Sequence, residues 1–169
     1  MSEDIRKMID KINNVGNFND PDIDFVFQNH PQLSTIGNEE QYSQYIKTIF
    51  PNSDVKAIVF HETAYEFDEF KPSFGKLGRG VYFSQRKDLG SKKGRVISAL
   101  VNIKNPVTDF DDVLVNNDFF TDKDVVLRDE TTQFIYEIIV RNVNNIHILG
   151  SKKDIEGFKS FVENKLDFK

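Results

Sequence analysis

The spacing of the apolar residues changes once along this chain of 169 residues, and that change limits the folds it can adopt. Before Pro51 the spacing is helical; it predicts helices over 5–12 and 42–50, with mixed loop and short helix over 22–38. After Pro51 the apolar residues fall into short runs typical of β-strands, at 55–60, 80–83, 95–103, 133–140 and 145–149. Helical spacing returns after Ser151 and continues to Leu166.

Five or six strands with few helices between them predict an α+β fold with a mostly antiparallel sheet or a split β-sandwich. A chain of this length is large enough to bury one core. We therefore expect a single domain over 1–169, made of an N-terminal helical segment at 1–50 and a core at 51–169 that ends in a helix.

The composition excludes several functional classes. The chain has no Cys, which rules out a disulfide scaffold, a thiolate nucleophile and Cys-ligated zinc. Its 3 His lack the spacing of a zinc site, and we expect no bound metal. The net charge of −5 gives the whole protein no strong attraction to nucleic acid, although Lys and Arg cluster at 71–95. No apolar run approaches the roughly 20 residues of a membrane span, and the acidic N-terminus lacks a signal-peptide pattern. We expect a cytoplasmic monomer, in the producing cell or a target cell.

Three residues with reactive or polar side chains stand in or beside predicted strands: Glu137, His61 and Tyr82. Glu137 interrupts the apolar run at 133–140, and alternation places it on the same face as Ile135 and Ile139. His61 follows the strand predicted at 55–60, and Tyr82 follows two glycines in a short strand. Each has a structural alternative: a Glu that reaches solvent, a His that only hydrogen-bonds, and an ordinary strand Tyr.

Taken in order, three segments resemble a known family: Phe60-His61-Glu62-Thr63, then Gly78-Arg79-Gly80-Val81-Tyr82-Phe83-Ser84, then Glu137-Ile138-Ile139-Val140. They are similar to the ADP-ribosyltransferase superfamily, in the His-Tyr-Glu branch that poly-ADP-ribose polymerases share with diphtheria-type toxins. The resemblance covers about residues 42–165. Within this branch, the chain resembles the small ADP-ribosyltransferase domains of phage polyvalent proteins and related toxins. The resemblance implies an ADP-ribosyltransferase-like split β-sandwich.

The resemblance also implies an activity, mono-ADP-ribosylation: a bacterial or phage toxin or effector cleaves NAD+ at the nicotinamide–ribose bond and transfers ADP-ribose to a macromolecular acceptor, either protein or nucleic acid. Synthesis of a polymer is the less favoured alternative. His61 would hydrogen-bond the adenosine ribose, and Tyr82 would stack on the nicotinamide ring. Glu137 would hold the nicotinamide ribose and stabilise the oxocarbenium-like state formed as nicotinamide leaves. The residues implied to bind NAD+ are His61, Glu62, Thr63, Gly80, Tyr82, Phe83 and Ser84.

The chain departs from the family pattern at three positions. Glu62 replaces a Gly whose backbone holds the carboxamide, and Lys93 stands where many relatives carry a second stacking Tyr. Ile135, two residues before Glu137, argues against the arginine-directed subtype, whose acid stands there. The segment 122–132 is expected to form a loop that selects the acceptor, with these candidates in and beside it: Arg128, Asp129, Glu130 and Gln133.

Other readings stay open. The same pocket would serve an NAD+ glycohydrolase with water as acceptor, or a non-catalytic NAD+-binding or interaction module. A metal-independent nuclease using His61 and Glu137 is disfavoured by the acidic balance and by the motif order. Four further residues are interpreted as structural: His30, His147, Phe67 and Phe70. The acidic segment 109–112 is interpreted as a solvated turn, since its spacing fits no calcium loop.

Overall fold

The computed structural model describes residues 18–63, 70, 73–75, 78–87, 95–109 and 123–166. Its helices there are α1 (Asp20–Asn29), α2 (Glu39–Ile46) and α3 (Lys152–Leu166). Its strands are β1 (Val59–Thr63), β2 (Ser73–Gly75), β3 (Gly78–Phe83), β4 (Arg95–Val101), β5 (Val125–Arg128), β6 (Ile135–Val140) and β7 (Ile146–Ile148). Short 3-10 helices span Pro31–Thr35 and Val143–Asn145.

The strands form two small sheets in which every ladder is antiparallel. One sheet has the order β1-β4-β7, and the other has the order β2-β3-β6-β5. The sheets meet where β1 passes the end of β3: the Phe60 N–H donates to the Ser84 carbonyl at 2.7 Å, and the Ser84 N–H donates back at 3.0 Å. The predicted α+β class with antiparallel pairing is confirmed.

The three-stranded sheet is covered on both faces. Alternation along β1 and β4 turns Val59 and Ala99 toward a core that also contains Phe83 and Ile138 of the other sheet. Its other face packs against the three helices, with Phe60 in contact with the aromatic cluster around Tyr42 and Phe158. The structure therefore has three layers, in which the three-stranded sheet lies between the four-stranded sheet and the helices.

The helices begin and end for local reasons. At the start of α2, the Asn38 side chain accepts from the Gln41 N–H while the Gln41 side chain accepts from the Asn38 N–H, both at 2.8 Å, which is a capping box. Pro21 stands in the first turn of α1, where its missing N–H costs nothing. Within the described part of the chain, no helix is long and apolar enough to cross a bilayer.

A buried polar network ties the last strand to two helices. The Asp154 carboxylate, which is 0% exposed, accepts from Tyr42 Oη at 2.5 Å, His147 Nε2 at 2.7 Å and the Gly150 N–H at 2.8 Å. Burial, and then the nearby Asp154 charge, raise the pKa of the Tyr42 hydroxyl well above its ordinary value. His147 therefore has a structural role in a buried hydrogen-bond network, in agreement with the interpretation from the sequence.

Several predicted boundaries are wrong. The strand predicted at 55–60 begins at Val59 and runs to Thr63, because Ser53 Oγ accepts from the Val55 and Ile103 N–H groups and holds the preceding residues in a turn. The predicted loop at 122–132 contains β5. The segment 22–38, predicted as mixed loop and short helix, lies mostly in α1 and a 3-10 turn. The helix predicted at 5–12 lies outside the described residues.

Candidate functional site

His61 lies in the middle of β1, rather than at the end of a strand as predicted, and its ring is fixed from two sides. Its Nδ1 is 2.7 Å from the carbonyl oxygen of Tyr82. Because a carbonyl only accepts, the Nδ1 atom carries a proton and donates in this contact. The ring also makes edge contacts with Phe70 and Phe83, at centroid distances of 5.1 and 5.8 Å.

Tyr82 and Glu137 lie on the same face of the four-stranded sheet. Tyr82 is paired with Ile139 across the β3–β6 ladder, and Leu127 is paired with Glu137 across the β5–β6 ladder. Paired residues share a face, and so do residues two apart in one strand, which makes Tyr82 and Glu137 diagonal neighbours. The three motif strands are therefore adjacent, in the order β1, β3, β6.

A β-bulge lies immediately before Glu137. The β5–β6 register runs from Leu127 opposite Glu137 to Arg128 opposite Ile135, which leaves Tyr136 as an extra residue in β6. Tyr136 is 47% exposed beside the half-buried Glu137. A bulge re-aims side chains locally, and here it brings an exposed aromatic ring next to the candidate carboxylate.

The bulge overturns one expectation from simple alternation. Ile135 packs in the core between the sheets, in the same cluster as Ile138 and Val140, whereas Ile139 packs in a separate cluster on the other face. The prediction that Ile135 shares a face with Glu137 is wrong, because the extra residue reverses the alternation before that point. Position 135 is therefore a core position in this chain.

Glu137 is a carboxyl group in an unfavourable place for a charge. Burial raises its pKa above the ordinary value. Within the part of the chain that the structure describes, no hydrogen-bond donor or cation is paired with its carboxylate. A half-buried, uncompensated carboxylate on a strand is costly to the fold, and such groups are characteristic of functional sites.

Arg141 lies at the other end of the same face, and the sequence reasoning did not single it out. Its Nη1 donates to the Arg79 carbonyl at 2.7 Å and its Nε donates to the Lys123 carbonyl at 3.0 Å. Its backbone N–H donates to the Asp124 carboxylate at 2.8 Å. Burial lowers the pKa of its guanidinium, and the nearby Tyr82 raises it in part. This residue fixes β3 against β5 and β6 next to the Tyr82 position.

The two β1 residues implied to bind NAD+ are placed differently from His61. Glu62 pairs with Val96, on the helix-facing side of β1, while His61 faces the other sheet. One carboxylate oxygen of Glu62 is buried and has no hydrogen-bond partner among the described residues. Thr63 ends β1 opposite Arg95.

Three residues in and beside β3 that are implied to bind NAD+ take part in the packing of the strands: Gly80, Phe83 and Ser84. A Cβ on Gly80 would lie 2.6 Å from Ile139 Cγ2 and 2.9 Å from the Val140 carbonyl oxygen, so this glycine allows close approach of β6. Phe83 is buried between the sheets, and Ser84 is buried at the junction with β1. The backbone of Ser84 is also occupied, because its N–H and carbonyl both pair with Phe60.

The segment expected to select the acceptor is a tight turn between β5 and β6. Asp129 Oδ1 accepts from the Thr131 and Thr132 N–H groups, both at 2.9 Å, and these bonds lower the pKa of Asp129. Arg128 Nη1 donates to the Gln133 carbonyl at 3.3 Å, and Gln133 takes a positive φ of 64°. These candidates therefore shape the turn.

Beyond the turn, aromatic surface is exposed beside Glu137. Phe134 and Tyr136 are 36% and 47% exposed, and Glu130 is exposed at the tip. Large aromatic side chains in this position are unusual on a surface and are enriched at sites of macromolecular contact. Sequence reasoning named the polar residues of this segment and missed both rings, whose exposure depends on the bulge.

The remaining sequence candidates add little to the site. His30 packs its ring at Gly150, and burial lowers its pKa, in agreement with a structural role. Asp109 is exposed, and the described residues contain no group of acidic and His side chains able to hold a metal. The positions Phe67, Lys93, Asp111 and Asp112 lie outside the described residues.

No protein-family model, curated protein or solved structure matches this chain.

Proposed function

We propose that the protein is an ADP-ribosyltransferase that cleaves NAD+ at the nicotinamide–ribose bond and transfers ADP-ribose to a macromolecular acceptor, as a bacterial or phage toxin or effector. The proposal is carried by one observation: Glu137, half-buried and unpaired among the described residues, lies on the same sheet face as Tyr82. The hydrogen bond from His61 to the Tyr82 carbonyl joins the third motif residue to the backbone of β3.

The arrangement of the two sheets supports a further part of the proposal, that the fold is an ADP-ribosyltransferase-like split β-sandwich. Two antiparallel sheets are joined by a single bridge between Phe60 and Ser84, and β1 and β3 pair nowhere else in the described residues. The hydrogen bond between His61 Nδ1 and the Tyr82 carbonyl lies beside this junction. A folded dinucleotide bound there would lie along the strand ends that carry the three motifs.

The reaction follows from the placement of charge. Nicotinamide leaves NAD+ with the electron pair of the C1–N bond, and the ribose becomes oxocarbenium-like. The negative charge of Glu137 stabilises this cation, in a site where a nearby carboxylate acts more strongly than in bulk water. An acceptor nucleophile then bonds to C1 and loses its proton. Water in that place gives the glycohydrolase outcome.

The decisive experiment is label transfer from adenylate-labelled NAD+ into a bacterial lysate, with wild type beside Glu137→Ala and samples divided for protease or nuclease treatment. Label present with wild type alone supports the transferase, and its sensitivity identifies the acceptor as protein or nucleic acid. Nicotinamide release without label indicates a glycohydrolase. NAD+ binding with neither label nor release indicates a binding module.

Tyr82→Ala is expected to weaken NAD+ binding about 10- to 100-fold, because stacking on a planar base contributes about 1–3 kcal/mol. Tyr82→Phe keeps the ring and should bind nearly normally. Isothermal titration with NAD+ measures both, and Tyr136→Ala is the matched control on the same sheet. Equal affinities for Tyr82→Ala and wild type would remove Tyr82 from the pocket.

The double variant Phe134→Ser/Tyr136→Ser is expected to reduce transfer to the macromolecule about tenfold or more, while release of nicotinamide into water stays near wild type. The reason is that exposed rings beside the reacting centre act as contact points for an acceptor and do not touch NAD+. Thr131→Ala, in the same turn, is the control. A proportional fall of both activities would show that the rings support the site itself.

A further inference from the structure

A cavity lies beside the last strand and the helix that follows it. It has a volume of about 640 Å³, between β7, the first turns of α3 and the Phe70 ring. Its apolar lining includes Phe70, Val143, Ile146 and Ile148, and its polar rim includes Lys152, Lys153 and Glu156. This volume falls within the range of pockets that take a small ligand or a few side chains. His61, Tyr82 and Glu137 do not line it.

One wall of this cavity is an edge strand. Among the described residues, β7 pairs with β4 and with no other strand. The Leu149 N–H donates to the Ser98 carbonyl at 2.9 Å, and the Asn102 N–H donates to the Asn145 carbonyl at 2.8 Å. Hydrogen-bonded and non-hydrogen-bonded pairs alternate along an antiparallel ladder. Ile146 and Ile148, which are paired with Val101 and Ala99, therefore belong to non-hydrogen-bonded pairs. The backbone groups of Ile146 and Ile148 therefore point away from β4.

Two of these four outward groups are already used within the chain. The Ile146 N–H donates to the Val143 carbonyl, and Ser151 Oγ donates to the Ile148 carbonyl at 2.8 Å. The Ile146 carbonyl and the Ile148 N–H are paired with no described residue. An acceptor and a donor two residues apart on one strand edge match a single residue of a parallel strand, which would donate to the first and accept from the second.

The rim of the cavity sets the charge of the occupant. Lys152 and Lys153 are exposed in the first turn of α3, and Glu156 is the one acidic side chain on the rim among the residues that the structure describes. His147, which also lines the cavity, is paired with Asp154 inside the fold. The rim is therefore locally cationic in a protein whose net charge is −5. An anionic side chain beside an apolar one fits this combination of rim and lining.

We propose that the edge of β7 and the adjoining cavity form a docking site for an extended, acidic segment of a partner protein, which adds to the sheet as a parallel strand. Its backbone would pair with the Ile146 carbonyl and the Ile148 N–H. One apolar side chain would enter the cavity, and a neighbouring carboxylate would lie against Lys152 and Lys153. Addition of a strand to a free sheet edge is a general mode of peptide recognition.

This site is independent of the proposed catalytic function but lies close to the candidate site. The Phe70 ring lines the cavity and also contacts the His61 ring edge-on, with centroids 5.1 Å apart. The occupant would therefore lie one ring away from His61. Binding to the edge is measured without NAD+, so its failure and the failure of the transferase proposal are distinguishable.

The test uses fluorescein-labelled hexapeptides and fluorescence anisotropy. A peptide of alternating Val and Glu is expected to bind saturably, while one of alternating Val and Lys binds at least about tenfold more weakly because its charge is repelled by the rim. A fully N-methylated Val/Glu peptide should lose binding, since it has no backbone donors. In a ¹H–¹⁵N spectrum, the Ile148 amide should move downfield on addition of the Val/Glu peptide.

Charge variants of the protein supply the second arm. Lys152→Glu/Lys153→Glu should weaken the Val/Glu peptide about tenfold or more and improve the Val/Lys peptide. The matched control is Lys104→Glu/Lys159→Glu, which makes the same change of charge at exposed positions outside the cavity. The proposal is overturned by equal binding of the two peptides, by unchanged binding after N-methylation, or by an equal effect of the two double variants.

Discussion

Glu137→Gln is expected to lower the rate of ADP-ribose transfer by about 10²–10³-fold or more, the magnitude seen when one preorganised electrostatic group is removed from an active site. The amide keeps the shape and the hydrogen-bonding capacity of the side chain, so NAD+ affinity should remain near wild type. In the proposed reaction, what is lost is the negative charge that would face the developing oxocarbenium ion. Single-turnover label transfer and NAD+ titration measure the two quantities separately. Transfer at the wild-type rate would remove Glu137 from the reaction.

Burial of Glu137 makes two further outcomes testable on the same variant. Its raised pKa means that the carboxylate forms only at a higher pH than for an ordinary Glu, so the acid limb of the wild-type pH–rate profile should lie above the usual carboxyl range. A raised pKa also stabilises the fold only at low pH, and that stabilisation is lost as the pH rises through the folded-state value. At neutral pH Glu137→Gln should therefore unfold at equal or higher denaturant concentration than wild type.

Two controls complete this design. Glu163→Gln makes the same change of charge at an exposed position of α3, outside the candidate site, and should leave transfer near wild type. Denaturant unfolding of all three proteins at neutral pH distinguishes loss of chemistry from loss of folding. A Glu137→Gln protein that is inactive and markedly less stable would contradict the view of Glu137 as a group retained at a cost to the fold.

Asp154→Ala is expected to destabilise the protein by about 3–5 kcal/mol, a large part of the total for a domain of this size. The change leaves the Tyr42 hydroxyl, the His147 imidazole and the Gly150 N–H without their common acceptor inside the structure. Each orphaned buried donor costs about 1–3 kcal/mol. Urea unfolding followed by circular dichroism measures the loss.

A double-mutant cycle with Tyr42→Phe tests whether the network acts as a unit. Removal of the hydroxyl alone should cost less than Asp154→Ala, and its cost should shrink when Asp154 is already absent, because the hydroxyl then has no acceptor to lose. Glu156→Ala, an exposed acid in the same helix, is the control and should change stability by no more than about 0.5 kcal/mol. An Asp154→Ala protein within about 1 kcal/mol of wild type would contradict this account.

The parts of the fold that sequence could predict are those with strong local patterns. β6 is an almost unbroken apolar run, and α3 has a clear helical period, so both were found nearly to the residue. β5 was missed because only three apolar residues, Val125 to Leu127, separate Asp124 from Arg128. Its buried pattern comes from its position beside β6, which is a tertiary fact rather than a local one.

The candidate site shows the same division between local and long-range information. The motifs identified His61, Tyr82 and Glu137, and the structure places their strands side by side. The interactions that fix them were not predictable, because they join distant segments: the His61 ring to the Tyr82 carbonyl, and Arg141 to a carbonyl 62 residues away. The bulge depends on how β6 is paired with β5, which alternation within one strand cannot reveal.

The extra residue in β6 gives one strand two separate evolutionary constraints. Ile135, Ile138 and Val140 are held by the packing between the sheets, so substitution there would be selected against through folding. Tyr136 and Phe134 are exposed and can be replaced at little cost to stability. Substitutions at positions 134 and 136 can therefore change the surface beside Glu137 without changing the packing between the sheets.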